Sequence, residues 1–114
     1  MNNTVKEKSF RFSVRIVKLC RFLRETKKEF VMSKQLLRCG TSIGANIAES
    51  QQAQSRPDFT SKLNIALKEA VETDYWLRLL YETGYLTKAQ FISIISDCDE
   101  LERMLASIVK TTKE

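Results

Sequence analysis

Apolar residues recur every three to four positions through most of the chain, which is the spacing of one face of an α-helix. In the first such segment, roughly residues 9–28, the shared face carries Phe12, Ile16, Leu19, Cys20 and Leu23. Ser9 precedes this pattern and belongs to the residue types that cap helix N-termini. The pattern therefore predicts a first helix that begins at about Ser9.

The second apolar pattern, roughly residues 33–53, contains two glycines one helical turn apart. Leu36, Gly40, Ile43 and Ile47 share one face, and Gly44 lies beside it. A glycine inside a helix costs about 1 kcal/mol relative to alanine. We therefore expect Gly40 and Gly44 to allow a neighbouring helix to approach closely. The alternative is a loop or hinge near Gly40.

The third helix has a clear beginning and a clear end. Ser55 and Asp58 have the spacing of a capping box, and Pro57 stands in the first turn, where a missing N–H is harmless. Gly84 suits a C-terminal cap in the left-handed conformation. Between them, spacings of four and three residues predict a buried seam of Phe59, Leu63, Ala66, Ala70, Thr73, Leu77 and Leu80.

The fourth helix begins with the strongest capping signal in the chain. Thr87 and Gln90 form a capping box, and Leu86 and Phe91 occupy the positions of a hydrophobic staple. Over roughly residues 88–110 the predicted inner face carries Ile94, Cys98, Leu101, Leu105 and Ile108. Short connections make sequential helices antiparallel, so we predict one all-α domain, residues 1–114, that folds as an up-down-up-down antiparallel four-helix bundle.

Two helices also carry apolar residues on the side that should face away from the core. These are Phe10, Val14 and Val17 on the first helix and Ile65, Tyr75, Trp76 and Leu79 on the third. Two such patches indicate surfaces that a partner covers, and self-association is the simplest explanation. The alternative is that the fourth helix wraps far enough round to cover one patch.

Positive charge is concentrated near the N-terminus of the chain. The formal net charge is +5, and residues 1–40 hold eleven lysines and arginines against three acids. Such asymmetry indicates an anionic partner, although a basic helix can also be a solvated face. The candidate nucleic-acid-binding residues are Arg11, Arg15, Lys18, Arg21, Arg24 and Lys28, and Phe22 is the only aromatic ring expected along them.

The residues that catalysis usually requires are missing or isolated. The chain has no histidine, which removes the commonest general base and metal ligand. Asp97, Asp99, Glu100 and Glu102 show no histidine or cysteine partner at metal-site spacing, and we expect most of them to face solvent. We predict no enzymatic activity, no cofactor and no metal site.

The three cysteines and the absence of a long apolar run indicate where in the cell the protein is expected. Cys20, Cys39 and Cys98 lie on or beside apolar faces and are expected to be buried, reduced thiols. No uncharged stretch approaches the roughly 20 residues that a transmembrane helix needs, and the N-terminus lacks the apolar run of a signal peptide. The expected location is the cytoplasm, without membrane attachment.

Two segments of the sequence resemble a bacterial protein family. Residues 34–48, KQLLRCGTSIGANIA, and residues 58–80, DFTSKLNIALKEAVETDYWLRLL, are similar to the 23S ribosomal RNA intervening-sequence proteins. The resemblance implies a left-handed up-down bundle, a homopentamer and no catalytic residues. A more distant similarity is to the accessory protein of diversity-generating retroelements, a basic pentameric barrel that binds nucleic acid and a reverse transcriptase.

Two functions follow as hypotheses. The first is a homo-oligomeric accessory protein whose basic first helix binds RNA or DNA through phosphates, with little sequence readout. The expected oligomer interface comprises Phe10, Val14, Val17, Ile65, Trp76 and Leu79. The alternative is a protein–protein adaptor, or a structural oligomer, with no role in nucleic-acid binding.

Overall fold

Four α-helices form nearly all of the part of the chain that the computed structural model describes, residues 3–113. They are α1 (Asn3–Glu25), α2 (Met32–Ser50), α3 (Arg56–Glu82) and α4 (Lys88–Lys113). The connections are short, so that successive helices run antiparallel, and the bundle measures 44 × 20 × 20 Å. The predicted all-α four-helix architecture is confirmed.

The helix ends follow the predicted capping signals for α3 and α4. The Ser55 side chain accepts a hydrogen bond from the Asp58 N–H at 3.2 Å. At the start of α4 the capping box is reciprocal: the Thr87 hydroxyl accepts from the Gln90 N–H at 3.1 Å, and the Gln90 side chain accepts from the Thr87 N–H at 2.9 Å. Gly84, with φ of 86°, adopts the predicted left-handed conformation.

The predicted start of the first helix is wrong. Helix α1 is already formed at Asn3, and Ser9 is buried inside it, where its hydroxyl donates to the Lys6 carbonyl at 2.9 Å. The physical reason is Val5, which lies one turn earlier on the core face and is fully buried. Burying that side chain stabilises the additional turns more than a cap at Ser9 would.

The helices pack as a square in chain order. Each of α2 and α3 packs against both of its sequence neighbours, and α1 also meets α4. Within the described residues, no Cα atom of α1 comes within 8 Å of one in α3, so these two helices stand diagonally opposite. The core contains most of the predicted inner faces, extended by residues that the periodicity did not assign: Val5, Leu86, Ile95 and Val109.

Helices α1 and α2 approach each other closely where α2 has its glycines. A Cβ atom added at Gly40 would lie 2.8 Å from Ile16 Cγ2, and one added at Gly44 would lie 3.3 Å from the Ser9 carbonyl oxygen. Both glycines stand within a continuous helix. The prediction of close approach is therefore confirmed, and the alternative of a loop or hinge near Gly40 is wrong.

The three cysteines are all buried and unpaired. Burial raises the pKa of the Cys20 thiol to about 12 and that of Cys39 to about 11, because a thiolate would lose its hydration. Thiols of this kind are poor nucleophiles. They serve as small apolar core residues. Within residues 3–113, none of the four helices has the length and apolarity that a bilayer crossing demands.

Candidate nucleic-acid interface

The basic residues predicted on the first helix separate into groups with different surroundings. At the C-terminal end of α1, Arg21, Arg24 and Lys28 line one cleft of about 490 Å³, together with Val17, Cys20, Glu25, Phe30 and Leu37. All three cations are exposed. None of them forms an ion pair with any residue that the structure describes. Glu25 is the one acid among the described residues of this lining, which leaves the cleft with a net positive charge.

Arg15 is engaged by the neighbouring helix. Its guanidinium donates to the Asp97 carboxylate at 2.6 Å, to the Ser93 hydroxyl at 2.8 Å and to the Ser93 carbonyl at 3.2 Å. Lys8 makes a second bridge to α4, with its Nζ 2.7 Å from Glu100. These contacts link α1 to α4 across the seam that closes the bundle. Asp97 therefore already neutralises the charge of Arg15, which the sequence had suggested would bind phosphate.

Arg11 and Lys18 lie apart from the cleft. Arg11 is exposed and faces Glu7 one turn away at 3.4 Å, a distance typical of a weak surface pair. Lys18 is exposed beside a shallow groove between α1 and α4, which Phe22 and Ser93 also line. The six candidate cations thus do not form one surface. The structure brings together Arg21, Arg24 and Lys28.

The expectation that Phe22 is the only ring along the basic residues is wrong. Phe22 is partly buried against the core, with Lys27 Nζ 6.0 Å above its ring. The ring that enters the basic cleft is Phe30, which comes from the α1–α2 connection and is 57% exposed. Helical periodicity could not find it, because Phe30 follows the end of the helix. Its position beside the run Lys27, Lys28 was the available signal.

The predicted apolar patches are largely exposed. Phe10 is 70% exposed, and Val14, Val17 and Ile65 are each about 40% exposed, whereas Trp76 and Leu79 are half-buried. Trp76 packs against the core and donates its indole N–H to Glu72 at 3.0 Å. The alternative that α4 covers one patch is wrong, since exposed apolar residues remain on both α1 and α3. The periodicity missed exposed Val71 and Ile92.

The acidic residues of α4 are not a purely solvated face. Asp97 and Glu100 pair with α1, as described above, and Glu102 lies beside Asp74 and Cys98, their side-chain ligand atoms all within 4.8 Å. Sequence spacing could not reveal this group, because Asp74 belongs to α3. Arg78 holds Asp74 at 2.5 Å, and burial raises the pKa of the Cys98 thiol. The ion pair of Asp74 and the protonated Cys98 thiol both favour a hydrogen-bonded cluster of Asp74 and Glu102 over a metal site.

Fold and site together define the class: a small basic helical bundle with exposed apolar residues on two diagonally opposite helices. The chain belongs to the family of 23S rRNA-intervening sequence proteins, whose model matches residues 1–107. This confirms the family indicated by the motifs in α2 and α3.

A solved structure supports the same assignment. It is a protein with unknown function from the S23 ribosomal protein family of Bacteroides thetaiotaomicron, with a TM-score of 0.92 and 62% sequence identity. The match covers 93% of this chain and 98% of that chain. A comparison with curated proteins found no match. Neither the family description nor that of the neighbour indicates an enzymatic activity.

Proposed function

We propose that this protein is a non-enzymatic, homo-oligomeric accessory factor that binds nucleic acid through the cleft lined by Arg21, Arg24 and Lys28. The observation that carries the proposal is the convergence on one cleft of three cations that have no ion-pair partner among the described residues. Contacts between lysine or arginine side chains and phosphates neutralise the phosphates and release counterions, and they carry no sequence information. Binding should therefore be salt-dependent and only weakly sequence-specific.

The other predicted cations have smaller parts in this proposal. Arg15 would have to leave Asp97 and Ser93 to reach a phosphate, and Arg11 would exchange its contact with Glu7. Lys18 is free of such contacts within the described residues but lies in a different groove. These three residues contribute to the general positive field of α1, which steers a polyanion towards the molecule.

Exposed apolar residues support the oligomeric part of the proposal. Most of the exposed apolar residues lie on α1 and α3, which are diagonally opposite, so one copy can present its α1 face to the α3 face of the next. A head-to-tail contact of that kind closes into a ring when its rotation allows. Five subunits is the number that the family resemblance implies. A ring repeats the basic cleft once per subunit and multiplies the +5 charge of each chain.

The test is a gel-shift and anisotropy titration from low to physiological salt with RNA and DNA of mixed sequence. The variant is Arg21→Gln, Arg24→Gln, Lys28→Gln. The matched control is Lys68→Gln, Arg103→Gln, Lys110→Gln, which removes three cations elsewhere that lack ion pairs among the described residues. Both triple variants remove the same charge, so any difference between them reports the cleft.

We expect the cleft variant to weaken binding uniformly across sequences and to reduce the salt slope by about 3, because each substituted cation leaves one phosphate without neutralisation. The control variant should retain most of the affinity. If the two variants behaved alike, binding would come from overall charge alone. If the parent protein bound neither RNA nor DNA at low salt, the adaptor hypothesis would replace this proposal, and Val71, Tyr75 and Ile92 would be the exposed apolar residues to test.

A further inference from the structure

The connection between α1 and α2 holds Phe30 in a fixed backbone. On one side, the Glu29 N–H donates to the Leu23 carbonyl at 2.9 Å, and Lys28 takes a left-handed φ of 56°, which turns the chain at the end of α1. On the other side, Phe30 is followed directly by Val31 and the start of α2. Both flanks of Phe30 are therefore tied to helix ends.

Glu29 provides most of this fixation. Its side chain is buried, with 5% of the residue exposed, and its carboxylate accepts hydrogen bonds from the Val31 N–H at 2.8 Å and the Met32 N–H at 2.5 Å. The Ser33 hydroxyl donates to the Glu29 carbonyl at 2.9 Å. A carboxylate on the first N–H groups of a helix is a strong cap. The backbone around Phe30 is locked while its ring stays in solvent.

The ring lines the same cleft as the three cations. Phe30, Arg21, Arg24 and Lys28 share one lining, with Leu37 beside them. The cap on α2 holds the backbone at Phe30, and because the ring is 57% exposed it is presented at the cleft and not packed into the core. Cations that hold a phosphodiester backbone next to an aromatic ring that stacks a base are the combination found in proteins that bind single-stranded nucleic acid.

We propose that Phe30 stacks an unpaired base of a strand whose phosphates lie on Arg21, Arg24 and Lys28, and that the protein therefore prefers single-stranded to double-stranded nucleic acid. This inference rests on the proposed function and specifies its ligand. In a duplex the base faces are occupied by neighbouring bases, so a ring at the protein surface cannot reach one without unstacking it.

The test compares one labelled strand with the same strand in a duplex, at low salt, by fluorescence anisotropy. The variants are Phe30→Ala and the conservative Phe30→Tyr. Val31→Ala is the matched control, because Val31 is the next residue, is 78% exposed and does not line the cleft. Circular dichroism checks that the variants remain folded. Stacking contributes about 1–3 kcal/mol per base, so Phe30→Ala should weaken single-strand binding roughly 5- to 150-fold.

We expect duplex binding to be weaker than single-strand binding in the parent and unaffected by Phe30→Ala. Phe30→Tyr and Val31→Ala should both bind like the parent. Equal affinity for strand and duplex, or equal binding by Phe30→Ala and the parent, would overturn this inference. In that case loss of binding in the Arg21, Arg24, Lys28 variant would still support the proposed function. A parent that binds neither probe would overturn both.

Discussion

At the scale of single residues, the most perturbed carboxyl group belongs to Glu102. It lies between α3 and α4, where Asp74 shares a hydrogen bond with it and Asp99 and Cys98 flank it on its own helix. Desolvation is the largest cause, and together with the negative charge of Asp74 and Asp99 it raises the pKa of Glu102 to about 7. Arg78 pairs with Asp74 and leaves Glu102 without a cation of its own within the described residues.

This environment predicts a pH-dependent stability. Since the folded protein keeps the Glu102 proton to a higher pH than the unfolded chain, the stabilisation is complete below about pH 4.5 and is lost as the pH rises through about 7. The variant Glu102→Gln stays neutral. It should be more stable than the parent at pH 8, and this gain should disappear as the pH falls to 4.5.

Urea denaturation at several pH values measures the effect. The exposed Glu82→Gln on α3 removes the same charge without touching the Asp74 cluster, and serves as the control. Parallel stability curves for the parent and Glu102→Gln over this pH range would show that the Glu102 carboxyl group titrates alike in the folded and unfolded chains.

At the scale of helices, the contact between α1 and α2 depends on the missing side chain at Gly40. A methyl group there would meet both Cγ atoms of Ile16, at 2.8 and 2.9 Å, and Ile16 is fully buried with a stiff β-branched side chain. At Gly44 the nearest atoms are the Ser13 hydroxyl at 3.1 Å, which can rotate away, and the Ser9 carbonyl oxygen at 3.3 Å, which needs to shift by only a few tenths of an ångström. The same substitution should therefore have different costs at the two positions.

We predict that Gly40→Ala lowers the free energy of unfolding by up to about 2 kcal/mol. Overpacking costs about 1–3 kcal/mol, and the higher helix propensity of alanine offsets about 1 kcal/mol of it. Gly44→Ala gains the same propensity and should be closer to neutral, which makes it the internal control. Chemical denaturation of both variants measures the difference. A Gly40→Ala protein as stable as Gly44→Ala would mean that Ile16 can move aside.

The helices themselves could be predicted because their signals are local. The capping boxes at Ser55 and Thr87 link residues three apart, and the apolar faces repeat within a turn or two, so both can be recognised in the sequence. The start of α1 was missed because a single buried Val5 outweighed a good capping residue at Ser9. Local signals determined the order and type of the helices, whereas the exact ends depended on tertiary burial.

The candidate site could be predicted only in part, because its arrangement depends on long-range contacts. The sequence indicated cations on α1 but could not show that Arg15 meets Asp97, which is 82 residues away. Nor could periodicity place Phe30, whose position is fixed by the cap that Glu29 makes on α2. Charge and composition predict an anionic partner, and the packing of the helices decides which cations are already held in ion pairs among the described residues.

At the scale of the whole molecule, the proposed assembly rests on exposed apolar residues that lie on two separate faces. Phe10 on α1 and Ile65 on α3 belong to helices that stand diagonally opposite, so a single two-fold contact cannot bury both. A head-to-tail contact buries the α1 face of one copy against the α3 face of the next. Each buried side chain of this size contributes about 1.5–3 kcal/mol, and several together can hold an assembly at micromolar concentration.

We predict that the parent protein has the mass of a closed oligomer, five subunits from the family resemblance, and that Phe10→Asp or Ile65→Asp alone reduces it to a monomer in light scattering. Each variant keeps one intact face. An equal mixture of the two should therefore form a dimer and stop there, a result that interfaces pairing each face with the same face of another copy cannot give. Ser107→Asp adds the same charge at an exposed position on α4 and should leave the oligomer intact. A monomeric parent would contradict the ring, and a mixture that stays monomeric would contradict the head-to-tail pairing of these two faces.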